Sequence, residues 1–287
     1  MSESDKDDLR DGHEIHPGGA FPFVRTVIQQ SLVESTSDLA RTLLLQGFDD
    51  LPLLIWAGRQ TRGRGRGENR WWSDEGSLTF SLALDPAAHG VRVEQEPRLA
   101  LMTALAIIEA IEALGLHNPG IGIRWPNDLE VGGRKLGGIL PERIQIGEER
   151  RLIIGIGLNV LTRIEDAPPA VQLMATSLSA FQAQPLLPSF LRPILAMILT
   201  RFEQALYRLV QDDPDLARQW GTLNLLRGQT VRVALGPRVV EGIVHEIDAQ
   251  GALCIHDGQN LHQLFGGQVL RQHRHSDDPP GNCLEHA

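Results

Sequence analysis

The chain has 287 residues, of which 42% are hydrophobic and 22% are charged, as in a soluble globular protein with one main core and a smaller second domain. Its formal net charge of −9 argues against a general nucleic-acid coat, because neutralising phosphates requires an excess of Lys and Arg. Two cysteines cannot form a disulfide framework, and the polar N-terminus lacks the apolar core of a signal peptide, so we expect a cytoplasmic protein without a membrane span.

Apolar periodicity and turn residues predict an α+β domain over residues 23–222. Its first helix is capped by Ser35 or Thr36, runs to residue 45 and is closed by Gly47. Further helices are predicted over residues 97–114, 189–212 and 214–220, and strands over residues 53–57, 78–84, 121–125, 138–146 and 151–160. The expected architecture is a mixed β-sheet packed with helices.

The character of the chain changes after residue 222. Residues 231–235, 239–247, 252–256 and 261–270 are short, β-rich and joined by Gly- and Asp-containing turns, which predicts a small β-barrel over residues 223–272. Residues 1–22 and 273–287 are polar and interrupted by Gly and Pro, and we expect both ends to be disordered.

The segment of residues 58–67, Gly-Arg-Gln-Thr-Arg-Gly-Arg-Gly-Arg-Gly, is the most informative part of the chain. Glycines let consecutive backbone N–H groups approach an anion, while Arg64 and Arg66 add forked donors for phosphate or carboxylate oxygens. Two alternatives stay open for the segment alone. It is a flexible basic loop, or it tracks single-stranded nucleic acid with the neighbouring Trp71 and Trp72.

Three more candidate site segments are ambiguous when each is taken alone. Lys135 follows a Gly132-Gly133 turn and is suited to hold developing negative charge, but a solvated hairpin lysine has the same sequence context. The segments 124–128, Arg-Trp-Pro-Asn-Asp, and 154–160, Ile-Gly-Ile-Gly-Leu-Asn-Val, indicate a ligand site or only a turn and a closely packed strand. The spacings of a P-loop and of a Rossmann motif are both absent, and Cys254 is expected to be a buried strand residue rather than a nucleophile.

In chain order, these segments resemble the biotin protein ligase family over residues 24–271. The family has a Ser-Thr pair, a Gln-Thr-x-Gly-Arg-Gly-Arg loop, a Trp and a Ser, followed by four further motifs in a fixed order. They stand here as Ser35-Thr36, Gln60-Thr-Arg-Gly-Arg-Gly-Arg66, Trp71, Ser81, Arg124-Trp-Pro-Asn-Asp128, Lys135-Leu-Gly-Gly-Ile-Leu140, Gly155-Ile-Gly-Leu-Asn159 and Ala175-Thr-Ser-Leu178. Eight motifs in one order make the resemblance specific.

The resemblance implies a biotin/lipoate ligase-like catalytic domain with an SH3-like C-terminal module, and it implies site residues. Lys135, Arg64 and Arg66 would be catalytic and would contact both substrates. Biotin would also be bound by Ser35, Thr36, Ser37, Gln60, Gly63, Gly65 and Gly157. ATP or the adenylate would also be bound by Arg70, Trp71, Asn127, Asp128 and Asn159. Mg²⁺ is expected with ATP, and its protein ligands stay unassigned.

The reaction implied is ATP-dependent activation of biotin to biotinyl-AMP, followed by transfer to a lysine of a biotin carboxyl carrier domain. The alternatives are a lipoate or octanoate ligase or transferase of the same fold, an Arg/Gly nucleic-acid-binding module, and a biotin-binding protein without turnover. A homodimer and a monomer stay open as alternatives.

Two departures from the family pattern are visible. Gly67-Glu68-Asn69 stands where the family continues with Arg-Gly-Arg, which removes one or two basic contacts unless Arg70 replaces them. About 22 polar residues precede Phe23, too few for the winged helix-turn-helix of the family's repressors, so we expect no DNA binding.

Overall fold

Two β-sheets form the framework of the protein: an eight-stranded mixed sheet and a five-stranded antiparallel sheet after residue 229. The computed structural model describes residues 14–17, 21 and 23–270. The fold class expected from the sequence, a mixed sheet with helices followed by a small β-module, is confirmed. No helix within the described ranges is both long enough and apolar enough to cross a membrane.

The large sheet has the strand order β1-β2-β3-β4-β8-β7-β6-β5. Only the β2–β3 pair is parallel, because α1 connects the two strands as a crossover. The strands are β1 (Glu14–Pro17), β2 (Thr26–Val33), β3 (Leu53–Gln60), β4 (Ser77–Leu84), β5 (Gly122–Arg124), β6 (Asp128–Val131), β7 (Arg134–Ile146) and β8 (Glu149–Asn159).

Helices cover both faces of this sheet. They are α1 (Thr36–Leu45), α2 (Leu99–Ala113), α3 (Pro169–Met174), α4 (Leu191–Val210) and α5 (Pro214–Thr222). Strand β4 shows the division: Phe80 and Leu82 belong to the large core that contains α2 and α4, while Ala83 belongs to the smaller core under α1. Both faces of β4 are therefore buried, and α2 is buried on nearly all sides, as its continuous apolar sequence predicts.

The second sheet has the order β12-β11-β10-β9-β13, and its strand β10 contacts α5. Its strands are β9 (Thr230–Leu235), β10 (Arg238–Ile247), β11 (Leu253–His256), β12 (Leu261–Leu264) and β13 (Gln268–Leu270). Val231 and Val233 join the large hydrophobic core, and the indole N–H of Trp125 donates to the Gly251 carbonyl at 3.0 Å. The domain boundary at residue 223 stays a prediction, since one core continues across it.

Several predicted boundaries are wrong. Residues 261–270 form two strands, because the chain turns at Gly267, with φ of +127°, and β13 pairs with β9 instead of β12. Strands β2 and β6 are additional to the predicted elements. Within the stretch predicted to be disordered, Glu14–Pro17 pair with β2, and Phe21 is buried. Residues 1–13, 18–20 and 22 and the tail predicted to be disordered, 273–287, lie outside the described residues.

Candidate active site

A cleft of about 1110 Å³ opens between the large sheet, the Gly-Arg loop (residues 61–71) and the C-terminal sheet. Every residue assigned to the site from the sequence lines this cleft except Gly63. They are Ser35, Thr36, Ser37, Gln60, Arg64, Gly65, Arg66, Arg70, Trp71, Asn127, Asp128, Lys135, Gly157 and Asn159. Residues separated by as many as 124 positions in sequence, such as Ser35 and Asn159, thus meet in one cavity.

One end of the cleft is a network of uncharged donors and acceptors at the start of α1. Ser35 is the N-cap, and its hydroxyl accepts from the Asp38 N–H at 3.3 Å. The Gln60 side-chain carbonyl accepts from the Thr36 N–H at 2.8 Å. The hydroxyls of Thr36 and Ser37 lie 2.8 and 2.9 Å from the hydroxyl of Ser81 on β4. These buried polar groups form hydrogen bonds with one another, so the pocket is polar, uncharged and held in a fixed arrangement.

Two glycines of β8 are required by close packing at the floor of the cleft. A Cβ on Gly155 would lie 2.6 Å from the Ser37 hydroxyl, and a Cβ on Gly157 would lie 2.3 Å from the Trp71 ring. The indole nitrogen of Trp71 is buried and has no hydrogen-bond partner among the described residues. The Gly-Ile-Gly motif therefore makes room for α1 and for the Trp71 ring.

The Gly-Arg loop folds back on itself as a short hairpin. The Trp71 N–H donates to the Gly63 carbonyl at 2.9 Å, and the Gly65 N–H donates to the Asn69 carbonyl at 2.8 Å. Gly67 has φ of +62° at the tip, and the Asn69 side chain donates to the Arg66 carbonyl at 2.9 Å. Gly63 shapes this hairpin rather than lining the cleft, since a Cβ there would lie 2.5 Å from the Trp71 carbonyl oxygen. The Gly67-Glu68-Asn69 departure from the family pattern thus forms the turn of the loop.

The two central arginines of the loop have different partners. Arg64 makes a forked pair with Glu142 of β7, and its Nε lies 2.8 Å from Asp38. The hydrogen bonds with Glu142 raise the pKa of Arg64 above its ordinary value. Arg66 donates to the Gly267 carbonyl at 2.6 Å, and burial lowers its pKa. Arg66 is thus an exposed cation tied to the C-terminal sheet through a neutral group.

Lys135 lies at the start of β7 and faces the cleft. Its Nζ is 2.7 Å from Asp128 and 5.7 Å from the centroid of the Trp71 ring. The main chain at this point is fixed, because the Lys135 carbonyl accepts from the Thr176 N–H at 2.9 Å, and the Thr176 carbonyl accepts from the Asn159 side chain at 3.0 Å. This end of the cleft is cationic, and it is opposite in character to the neutral network at α1.

Asn127 and Asn159 hold neighbouring main chain in place. The Asn127 side chain donates to the Ile139 carbonyl at 2.9 Å, while the Ile139 N–H donates to the Asn127 carbonyl at the same distance. Asn159 is nearly buried. Both side-chain amides therefore donate to backbone carbonyls near Lys135 and hold that backbone in position.

The sequence analysis did not identify three groups that shape the site: Glu142, Asp38 and the Gly267 carbonyl. Glu142 is the one acidic residue of the predicted strand 138–146, and this was its only signal in the sequence. Asp38 has the signature of a first-turn acid, which is a common stabiliser of a helix N-terminus. Cys254 is buried as expected, and burial raises the pKa of its thiol to about 11, which makes it unreactive.

Comparison with known proteins agrees with this geometry. Residues 30–159 match the model of the Biotin/lipoate A/B protein ligase family, and residues 227–270 match that of the Biotin protein ligase C terminal domain. The biotin–[acetyl-CoA-carboxylase] ligase of Mycobacterium tuberculosis is 30% identical over 248 residues, which cover 84% of this chain and 88% of that protein. The bifunctional ligase/repressor BirA of Bacillus subtilis is 29% identical over 85% of this chain and 73% of its own length.

Solved structures with a similar fold are also biotin protein ligases. The biotin protein ligase from Aquifex aeolicus, solved in complex with biotin and ATP, superimposes with a TM-score of 0.70 and 25% identity, covering 85% of this chain and 97% of that one. Fold and cleft define a ligase of the biotin/lipoate class. Two findings distinguish the biotin ligases within this class: the match to the C-terminal domain model and the 30% identity with the Mycobacterium tuberculosis ligase along most of the chain. The chain belongs to the biotin protein ligase family.

Proposed function

We propose that the protein attaches biotin to a carrier lysine in two steps within the cleft. A biotin carboxylate oxygen attacks the α-phosphorus of ATP, which forms biotinyl-5′-AMP and releases pyrophosphate. The lysine amine of a biotin carboxyl carrier domain then attacks the acyl carbonyl, which releases AMP and leaves biotin in amide linkage. Family membership supports both steps, and the residue roles below are inferences from the cleft.

The observation that carries the proposal is the polarity of the cleft. Its α1 end offers neutral hydroxyl and amide groups from Thr36, Ser37 and Gln60, which suit the donors and acceptors of an uncharged ureido ring. Its other end carries Arg66 and Lys135, which suit a carboxylate and phosphates. A single ligand with a ureido head and an acyl phosphate end matches both halves.

Lys135 is the group that we assign to the reacting centre. Its ammonium is a compact charge on a strand, held by Asp128 and by fixed main chain, and it stabilises negative charge that develops on the carboxylate and α-phosphoryl oxygens. Arg66 holds phosphate oxygens from the loop side. Arg70, Trp71, Asn127, Asp128 and Asn159 complete the adenylate pocket. The mechanism is one of positioning and electrostatics, without a covalent enzyme intermediate.

The donor set of the cleft fits Mg²⁺ bound mainly through ATP. No cluster of three or more His, Cys, Asp or Glu side chains capable of holding a metal occurs in the described part of the chain. Among the described residues that line the cleft, Asp128 is the only carboxylate, and Mg²⁺ commonly takes one or two carboxylates together with substrate phosphates and water. Asp128 would hold the ion, which when bound neutralises charge on the triphosphate.

The C-terminal sheet forms one wall of the cleft. Arg232, Ala234 and Gln268 from this sheet line it, and the Gly267 carbonyl accepts from Arg66. We infer that this wall helps to place ATP or the carrier domain, whose parent carboxylase is not specified by the cleft. Because the reaction consumes ATP, we propose a cytoplasmic location.

Incubation of the purified chain with biotin, ATP labelled at the α-phosphate and Mg²⁺ tests the first step. Biotinyl-AMP is expected, and addition of an apo biotin carboxyl carrier domain should convert it to labelled AMP and biotinylated carrier. Lipoate and octanoate in place of biotin serve as the matched controls. Preferential formation of a lipoyl or octanoyl adenylate, or no adenylate from any acid, would contradict the proposal.

A further inference from the structure

Arg64 is held by carboxylates from two different elements. Its Nη1 donates to Glu142 at 3.0 Å, its Nη2 donates to the other oxygen of the same carboxylate, and its Nε lies 2.8 Å from Asp38. Arg41, one turn beyond Asp38 in α1, donates to Glu142 at 2.9 Å. The cluster contains two positive and two negative side chains, so its formal charges cancel.

This cluster connects the three elements that carry the site. Asp38 follows Ser37 at the start of α1, Arg64 lies between two glycines of the Gly-Arg loop, and Glu142 is seven residues beyond Lys135 on β7. The side chain of Glu142 is only 17% exposed, and that of Arg64 is 32% exposed. A forked, partly buried arginine–carboxylate pair fixes orientation as well as distance.

The paired state of Arg64 bears on its role. Glu142 and Asp38 neutralise its charge, whereas the described contacts of Arg66 are a backbone carbonyl and a more distant attraction to Asp128. A neutralised guanidinium contributes little field to the cleft. It restricts the Gly-Arg loop, whose glycines would otherwise leave the loop with high conformational freedom.

We propose that Glu142 is a positioning residue for adenylation: by holding Arg64, it fixes the Gly-Arg loop against α1 and β7 in the geometry that binds biotin's carboxylate and the α-phosphate. Arg64 acts as the anchor of the loop, and Arg66 and Lys135 supply the charge. This inference rests on the proposed ligase function and adds a residue and a division of labour to it.

The competing role for Arg64 predicts an effect of opposite sign. If Arg64 gives its charge directly to the ligand, Glu142 competes with the ligand for the guanidinium, and neutralising Glu142 should improve biotin binding. If Arg64 is an anchor, the same change should release the loop and impair adenylation. Misplacement of a binding group by about 1 Å costs on the order of 10²-fold in rate, which sets the scale.

Glu142→Gln therefore tests the inference. We expect kcat/KM for biotin in biotinyl-AMP formation to fall about 10- to 100-fold, with faster tryptic cleavage between residues 62 and 70. The matched control is Glu34→Gln, which removes an exposed carboxylate that lies outside the loop and 3.4 Å from the loop residue Arg62. The control should keep wild-type values. Glu142→Gln kinetics equal to or better than wild type would overturn the inference.

Arg64→Lys keeps the charge but cannot form the fork, and it changes a half-buried loop side chain that is not part of the hydrophobic core, so the fold should be retained. We expect a loss of at least about tenfold in kcat/KM for biotin and, in the Glu142→Gln background, no additional loss, because both changes break one interaction. Additive losses in the double variant would contradict the anchoring role. Wild-type kinetics of Arg64→Lys alone would also contradict it, and this second test holds even if Glu142→Gln does not fold.

These outcomes are distinct from failure of the proposed ligase function. If wild type and Glu34→Gln both make biotinyl-AMP, the function stands and only the role of Glu142 is decided by the variants. If wild type makes no adenylate, the function itself fails, and loop cleavage and biotin binding of the variants still decide whether Glu142 anchors the loop.

Discussion

Replacing Lys135 with Met should abolish most adenylation while leaving the fold intact. Met keeps much of the aliphatic stem and removes the charge. The Lys135–Asp128 pair has side chains that are 31% and 24% exposed, so its loss costs about 1 kcal/mol of stability or less. The Lys135 main-chain carbonyl keeps its hydrogen bond from Thr176, because the substitution does not alter it.

The expected kinetic loss is much larger than the stability loss. One fixed electrostatic stabiliser of a transition state is worth roughly 10²- to 10³-fold in rate, or about 2.7–4 kcal/mol. The substitution leaves Asp128, the proposed Mg²⁺ ligand, in place, so the missing ammonium accounts for the expected loss.

The measurement is the rate of biotinyl-AMP formation at saturating biotin and ATP, beside the midpoint of thermal unfolding. Arg134→Met is the matched control, since it removes one positive charge from the adjacent residue of β7, which is exposed and does not line the cleft. The control should stay within about twofold of wild type. A folded Lys135→Met that makes adenylate at a near-wild-type rate would refute the assignment of Lys135 to the reacting centre.

Gly157→Ala should weaken biotin binding, because its Cβ would lie 2.3 Å from the Trp71 ring and overpacking of this kind costs about 1–3 kcal/mol; calorimetric titration showing unchanged affinity would contradict it. Gly221→Ala, with open space around its Cβ in α5, should instead raise stability by about 0.5–1 kcal/mol in urea unfolding, and a lower midpoint would disprove this. Asp212 has its pKa lowered to about 2 by hydrogen bonds from Gln95 and from neighbouring arginines, so its contribution is present above pH 4 and lost as pH falls towards 2. Asp212→Asn should flatten the pH dependence of unfolding in that window, and an unchanged pH profile would show that the carboxylate is not coupled to folding.

Local signals explain why the sequence predicted much of the fold. The start of α1 is set by the N-cap Ser35 and its end by Gly47, with φ of +88°, and both signals lie within the segment that they control. The division of residues 261–270 into two strands was not predictable in this way. The pattern of apolar residues in this segment is compatible with one uninterrupted strand. The chain breaks at Gly267 because β13 pairs with β9, which lies more than 30 residues earlier in the sequence.

The candidate cleft residues were predictable because they stand in short motifs of fixed order, whereas their partners were not. Glu142 lies 78 residues from Arg64, and a lone acid in a strand has the same local pattern whether it faces solvent or pairs with an arginine. The contribution of the C-terminal sheet through the Gly267 carbonyl has no side-chain signature at all. Such groups become visible only when tertiary contacts are known.

Arg64 and Arg66 show how far residue identity underdetermines function. Both follow a glycine in the same loop, and the sequence gives them the same expected role. Their surroundings differ: two carboxylates lie against Arg64, while Arg66 is exposed and donates to a neutral carbonyl. A guanidinium already paired with carboxylates must give up charge-assisted hydrogen bonds to bind an anion, whereas one that donates to a neutral carbonyl gives up a weaker bond. Arg66 is thus the arginine open to the substrate's anionic groups, and Arg64 is the one whose charge-assisted hydrogen bonds are already made.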